Sequence, residues 1–333
     1  MESKHWTPEE LVKVSNSYWS SCAIHAGVKL DLFTPLSACP HTAGALADLL
    51  EADERGLTML LNALAALGLL EKNGEEYAAT SFSAEFLARA SPGFLGHIVR
   101  HHHNLMFQWA RLDVAVRTGK PVRERCTGEK EEQSRESFEM GMFNLATLAA
   151  PLVVPHIDLR GCRSLLDLGG GPGTYSIYFC GHNPGLVACV FDLPSTRRFA
   201  EDTIASFGLS EKISFMPGDY LEDPIPGGHD AAWLSHILHA EGPGECVLIL
   251  GKVAAALQKG GRIYVQEFIL NDTMDGPLQP ALFSLNMLTG TAAGQVYSEG
   301  QIKEMLVEAG YRDLRRIPVS LPNGAGIIAG TVT

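Results

Sequence analysis

Apolar positions change their period once along the chain. Up to about residue 158 they recur at three- and four-residue intervals, the spacing of helices. Thr42 precedes the run AGALADLL and is placed to cap it. Leu57, Leu60, Leu61, Leu64 and Leu67 form one stripe of a helix predicted over Glu54–Leu67, which Gly68 ends. In the next segment, LLEKNGEEYAATSF, Asn73-Gly74 is a hairpin turn signal. Lys120–Arg135 is rich in charge, contains Pro121 and Gly128, and reads as a loop. From Ser164 onward, short β-branched or apolar runs alternate with helical stretches, the mark of βαβ units and a parallel sheet. The expectation is a helical domain over 1–158 and an α/β domain over 159–333.

Helix, helix, hairpin is the pattern of a winged helix, a unit common in DNA-binding proteins. Charge argues against that use. Between His41 and Ala90 stand eight acids (Asp48, Glu51, Asp53, Glu54, Glu71, Glu75, Glu76, Glu85) against three bases (Arg55, Lys72, Arg89). Phosphate contacts need Lys and Arg, and the would-be recognition helix offers Arg55 alone. The whole chain repeats this balance, with 26 Lys+Arg, 38 Asp+Glu and a formal charge of -12. Nucleic acid is therefore not expected as a partner. An apolar winged helix suits packing against another subunit.

The remaining composition is ordinary for a globular chain, 46% apolar and 19% charged, and excludes a disordered one. Seven scattered cysteines without a CxxC pair fit neither a disulfide scaffold nor a cysteine zinc site, and suit a reducing cytoplasm. The first residues, MESKHWTPEELVK, lack a signal core, and the uncharged stretch Gly276–Ser298 is too polar to be a membrane span, so no membrane partner is expected. His101-His102-His103 cannot all face one ion on a helix, so no metal is expected there. Nearby Phe107 and Trp109 are candidates for an apolar pocket wall or for core packing.

Candidate chemistry concentrates in SLLDLGGGPGTYSIYF, residues 164–179. A buried strand runs into a turn of Gly169, Gly170, Gly171 and Gly173, and a helix begins behind it with its N-terminus aimed at whatever the turn holds. The third glycine comes one residue too early for the dinucleotide pattern GxGxxG, and an acid, Asp167, precedes the turn. That acid suits a ligand with a positive end, such as a sulfonium bearing an α-amino group, better than a pyrophosphate. Asp192 then ends the strand in VACVFDLP, where a carboxylate can take both ribose hydroxyls. Asp219 follows the strand in KISFMPGDY, placed to accept from an adenine amino group, with Tyr220 beside it to stack. Beyond the strand in HDAAWLSHILHAEGPGE lies His239, while His236 reads as a packing residue. Glu267, near the end of GGRIYVQEFIL, can hold the His239 ring as part of a general base.

With these residues in hand, the chain resembles the small-molecule S-adenosylmethionine O-methyltransferases, a family spanning plant caffeate-type and bacterial secondary-metabolite enzymes, from about Ser15 to Ala329. LLDLGGGPG is similar to the family's cofactor loop, FDLP to its ribose motif and GDY to its adenine motif. The resemblance implies a Rossmann-like methyltransferase fold, with a mostly parallel seven-stranded sheet behind a helical winged-helix dimerisation domain. It implies S-adenosylmethionine as cofactor, no metal, and a homodimer acting on a phenolic or enolic small molecule. His239 falls on the catalytic histidine and Glu267 on its supporting glutamate. Met142 and Met287 fall on substrate-wall positions, with Trp109 as a further candidate. Ser235 stands where plant members carry a lysine near the cofactor. Ala240-Glu241 replaces the usual Asp-Trp after the histidine, and Val296 stands at the place of a second supporting glutamate. Methylation of carbon or nitrogen, a relative that binds the cofactor without transferring methyl, and a ligand-sensing regulator are the competing readings.

Overall fold

In a computed structural model, residues 6–123 and 128–333 are described, and they form two compact units that divide between Leu105 and Met106. The division expected from the pattern, at 158/159, lies elsewhere than this one. The helices between them, over Leu112–Thr118 and Glu129–Val153, belong to the second unit.

The first unit contains α1 (Pro8–Ser15), α2 (Tyr18–Lys29), α3 (Phe33–Ala38), β1 (His41–Thr42), α4 (Ala43–Leu50), α5 (Glu54–Ala66), β2 (Leu70–Asn73), β3 (Glu76–Ala79), α6 (Ser81–Phe86) and most of α7 (Gly96–Trp109). Thr42 caps α4 through Ala45 N–H at 3.2 Å, as its position predicts. Asp53 does the same for α5 through Gly56 N–H at 2.7 Å. Leu57, Leu61 and Leu64 face inward from α5, against Val28, Leu32 and Phe33. The unit is not wholly helical, because β1, β3 and β2 form a three-stranded antiparallel sheet. Its hairpin closes on the Asn73–Glu76 pair, so the turn's central residues are Gly74 and Glu75, with Gly74 at φ 61°. His103 on α7 meets Lys29 Nζ at 2.9 Å and the His25 ring edge-on.

The second unit continues with α8 (Leu112–Thr118) and α9 (Glu129–Val153). The loop expected over 120–135 ends earlier than its charge suggested. Residues 124–127 lie outside the described ones, and by Glu129 the chain is helical, with Arg135 paired to Glu131 one turn back. The helical stretch Glu129–His156 is long and apolar enough to cross a membrane. It carries buried Glu139 and Asn144, and it packs on α10.

Then come β4 (Ser164–Leu168), α10 (Thr174–His182), β5 (Val187–Asp192), α11 (Arg197–Ser206), β6 (Ile213–Pro217), β7 (His229–Ser235), α12 (Pro243–Ala256), β8 (Leu257–Leu270), α13 (Leu278–Gly290), β9 (Tyr297–Ser298), α14 (Glu299–Glu308), β10 (Tyr311–Arg316) and β11 (Ala325–Val332). The sheet order is β10-β11-β8-β7-β4-β5-β6, seven strands in line, with short β9 paired to the end of β8. From β8 to β6 the strands run parallel; β11 runs antiparallel to both its neighbours, β8 and β10. Parallel strands covered on both faces read as unbroken apolar runs, which is why SLLDL and DAAWL stood out. Alternation sends Leu166 and Leu168 to one layer and Leu165 to the other. Asp167 shares the Leu165 face and is buried there. The strand order reverses between β4 and β7, and open α/β sheets bind ligands at such a switch point.

Candidate active site

The glycine turn leaves β4 at this switch point. Gly169, Gly171 and Gly173 all have left-handed backbone, at φ 61°, 54° and 75°. A Cβ at Gly169 would come within 2.3 Å of Ile237 Cδ1, so the close approach of backbone to the β7 loop requires glycine. Beneath the turn, Asp167 accepts from Ser176 Oγ of α10 at 2.7 Å. Burial drives its carboxyl up to about 7, with the Ser176 bond opposing. At 1% exposure it supports the turn from below rather than lining its mouth.

Asp192 closes the turn from the neighbouring strand. Its Oδ2 accepts from Gly171 N–H at 2.8 Å, and its Oδ1 accepts from Leu193 N–H at 2.6 Å and from Thr196 Oγ1 at 3.3 Å. Burial raises this carboxyl too, against those three bonds. Asp219 forms a local turn, accepting from Leu221 N–H at 2.8 Å. Tyr220 is half-buried near Gly169 and donates to Glu241 Oε1 at 3.0 Å. Glu241 thus ties the histidine loop to the Asp219–Tyr220 loop. Ser235, at the end of β7, pairs in register with Gln266. This cradle fits S-adenosylmethionine, with bare backbone at the turn, a helix N-terminus behind it and carboxylates on adjacent strand ends.

His239 sits just past β7 in a single 3₁₀ turn, buried, with Nδ1 2.7 Å from Glu267 Oε2. Glu267 lies within β8 and is 2% exposed. Burial alone would raise its carboxyl, but the imidazoles of His239 and His236 outweigh that and hold it near 2. With Nδ1 engaged, Nε2 is the nitrogen of His239 left to accept a proton. Phe268 and Phe283 pack against each other at a tilt of 43°, 4.3 Å between ring centres, and Phe283 meets the His239 ring edge-on at 5.0 Å. Val296 is fully buried and offers no acid, and among the described residues the acid in contact with His239 is Glu267.

His236 is more than a packing residue. It adopts φ 61°, a strained conformation for a side chain of its size, and its Nδ1 stands 3.7 Å from the same Glu267 oxygen. His236, His239 and Glu267 also place their ligand atoms within 4.8 Å of one another, close enough for a small cation.

Of the substrate-wall candidates, Trp109 is tied to α13, the helix that carries Met287. Trp109 Nε1 donates to Asn286 Oδ1 on α13 at 2.9 Å, and the next residue, Met287, is buried one helical turn beyond Phe283. Met142 is half-buried on α9. Phe107 is 69% exposed and does not belong to the core. The sequence pattern carried no hint of Glu139, Thr196 or Ser176, nor of the buried pair in which Tyr175 Oη donates to Gln266 Oε1 at 3.1 Å. The first four sit on helices or turns, where a polar residue reads as solvated. Gln266 hides beside Glu267 on β8.

These features define a methyltransferase of the S-adenosylmethionine type, and comparison with known proteins agrees. The O-methyltransferase domain family matches residues 109–312 and the O-methyltransferase dimerisation domain matches residues 12–89. The chain belongs to this O-methyltransferase family and is an S-adenosylmethionine-dependent O-methyltransferase. It is 34% identical to the 3-hydroxy-5-methyl-1-naphthoate 3-O-methyltransferase of Streptomyces sahachiroi, over 97% of this chain and 95% of that protein. It is 30% identical to the tetracenomycin polyketide synthesis 8-O-methyl transferase of Streptomyces glaucescens, over 96% of each. The structure of human N-acetylserotonin methyltransferase in complex with S-adenosylmethionine superposes with a TM-score of 0.86, at 26% identity, covering 100% of this chain and 99% of that one.

Proposed function

We propose that this enzyme methylates a hydroxyl of an aromatic, phenolic or enolic, small molecule, with His239 as general base. The observation that carries the reading is the buried His239–Glu267 contact at 2.7 Å beside the Phe268–Phe283 pair. When bound, the cofactor supplies an electrophilic methyl group already activated on a sulfonium. The protein's task is then to position the acceptor and remove its proton. A phenol near pKa 10 is mostly protonated at neutral pH, so attack needs a base. Neutral His239 takes the proton on Nε2. Glu267 fixes the ring's tautomer and stabilises the imidazolium, and His236 shares that carboxylate. The aromatic pair excludes water and suits a flat acceptor, with Trp109, Met142 and Met287 as the remaining wall. No metal is needed, since Nδ1 of His239 is engaged by Glu267 and the methyl donor carries its own charge.

For the cofactor, Asp192 would hold the ribose diol and Asp219 the adenine amino group, with Tyr220 available to the base. Gly169 and Gly171 would offer bare backbone to its amino-acid portion, with Asp167 supporting the turn and Ser235 nearby at the end of β7. The first unit acts as a winged-helix dimerisation module, and residues 106–158 contribute substrate wall. The enzyme works as a cytoplasmic homodimer, in keeping with six described cysteines that are all free thiols.

His239→Ala is expected to retain cofactor affinity and lose roughly 10²–10⁴-fold in turnover, the usual contribution of a general base. Turnover of an aromatic acceptor with isotope-labelled cofactor measures this. A His239→Ala variant with intact turnover would remove histidine from the mechanism.

A further inference from the structure

The long helix α9 delivers one acid to the cofactor turn from far away in sequence. Glu139 is 6% exposed, and its Oε1 accepts from Thr196 Oγ1 at 3.1 Å. Its Oε2 lies 3.6 Å from where a Cβ on Gly171 would stand. The same Thr196 hydroxyl is 3.3 Å from Asp192 Oδ1. Thr196 has one proton, and two carboxyl oxygens compete for it.

Counting lone pairs shows why this matters. Each carboxylate oxygen offers about two acceptor sites. Asp192 Oδ2 spends one on Gly171 N–H, and Oδ1 spends one on Leu193 N–H. A vicinal diol brings two protons and needs the remaining site on each oxygen. The second site of Oδ1 is open only while the Thr196 proton points elsewhere. We propose that Glu139 is a positioning residue of the cofactor site: by accepting the Thr196 proton, it keeps Asp192 Oδ1 open for the ribose diol. This rests on the assignment of Asp192 to the ribose given above. It also accounts for an acid kept at a costly place, since burial and then the Asp192 charge push the Glu139 carboxyl up to about 7. A carbonyl oxygen serves as well as a carboxylate, so the role survives protonation.

The test is calorimetric titration with S-adenosylhomocysteine and S-adenosylmethionine, with melting curves confirming that each variant is folded. Glu139→Ala sends the Thr196 proton to Asp192 and should weaken both ligands roughly tenfold, the scale of one hydrogen bond to a charged group. Glu139→Gln keeps the acceptor and should restore most of that loss. On a Thr196→Val background there is no proton to redirect, so Glu139→Ala should then cost less than about threefold. A purely structural role would show neither the rescue nor the dependence on background. If the unaltered enzyme binds and Glu139→Ala binds equally well, or the loss persists with Thr196→Val, the proposal fails. If the unaltered enzyme binds neither nucleoside, the ribose assignment fails and this inference falls with it.

Discussion

Buried acids make the site sensitive to pH one residue at a time. Glu139 has its carboxyl raised to about 7 by burial and by Asp192. A raised acid means the folded chain holds its proton at pH values where the unfolded chain has released it. Stability from this residue is therefore full below the ordinary glutamate value near 4.5, falls as pH climbs, and levels off above 7. Glu139→Gln cannot ionise and escapes that loss. Its stability relative to the unaltered enzyme should rise between pH 5 and pH 7.5 by on the order of 2 kcal/mol, seen as a higher relative melting temperature. Paired thermal melts at the two pH values check this, and a constant difference would mean that Glu139 titrates normally. Nothing in the sequence announced this residue. A lone glutamate on a helix reads as a solvated charge, and its burial depends on α9 crossing a turn formed some thirty residues later. Asp167, Asp192 and Asp219 were legible because each ends or follows an apolar strand run, where a polar residue interrupts a pattern.

At the level of elements, the turn between β4 and α10 determines what the sheet can bind. Its backbone follows a left-handed course at Gly169, and the Ile237 side chain fills the place of a Cβ. Gly169→Ala would combine about 1–3 kcal/mol of backbone strain with a clash against the histidine loop. The expected result is a folded enzyme that has lost measurable affinity for both nucleosides, read by the same calorimetry. Retained affinity would mean that the turn does not contact the cofactor. The alternation of strand and helix from Ser164 onward gave this architecture directly, because parallel strands are apolar on both faces. The start of α9 was not legible. Glu129–Arg135 is as charged as any loop, and it becomes helical through the pairing of Arg135 with Glu131 and the apolar length that follows. The compact units divide at 105/106 and the pattern changes near 158 for a related reason: α8 and α9 are helices like those of the first unit, and periodicity records the kind of element, not what it packs on. The tilt of His236 into the left-handed region was likewise invisible, since it arises where β7 ends against β8.

At the level of the whole molecule, the strongest sign of a second subunit is a helix that should not stand alone. α1 is eight residues long and well capped, with Thr7 and Glu10 forming a reciprocal capping box, yet none of its residues is buried. Helices shorter than about 12 residues are marginal in water without packing. Leu11 and Val12 of α1, and Trp19 just beyond it, are all about three-fifths exposed. The dimerisation domain matched from residue 12 begins within this helix. A second copy of the chain is the economical cover for such a face, since self-association buries the apolar face of both copies at once. Leu11→Asp combined with Val14→Asp would place two charges in that contact. Light scattering should show the mass fall from that of two chains to that of one, with the melting temperature of the second unit little changed. If the unaltered protein already has the mass of one chain, α1 is not an interface. If the double variant keeps the mass of two chains, the dimer is built on another face.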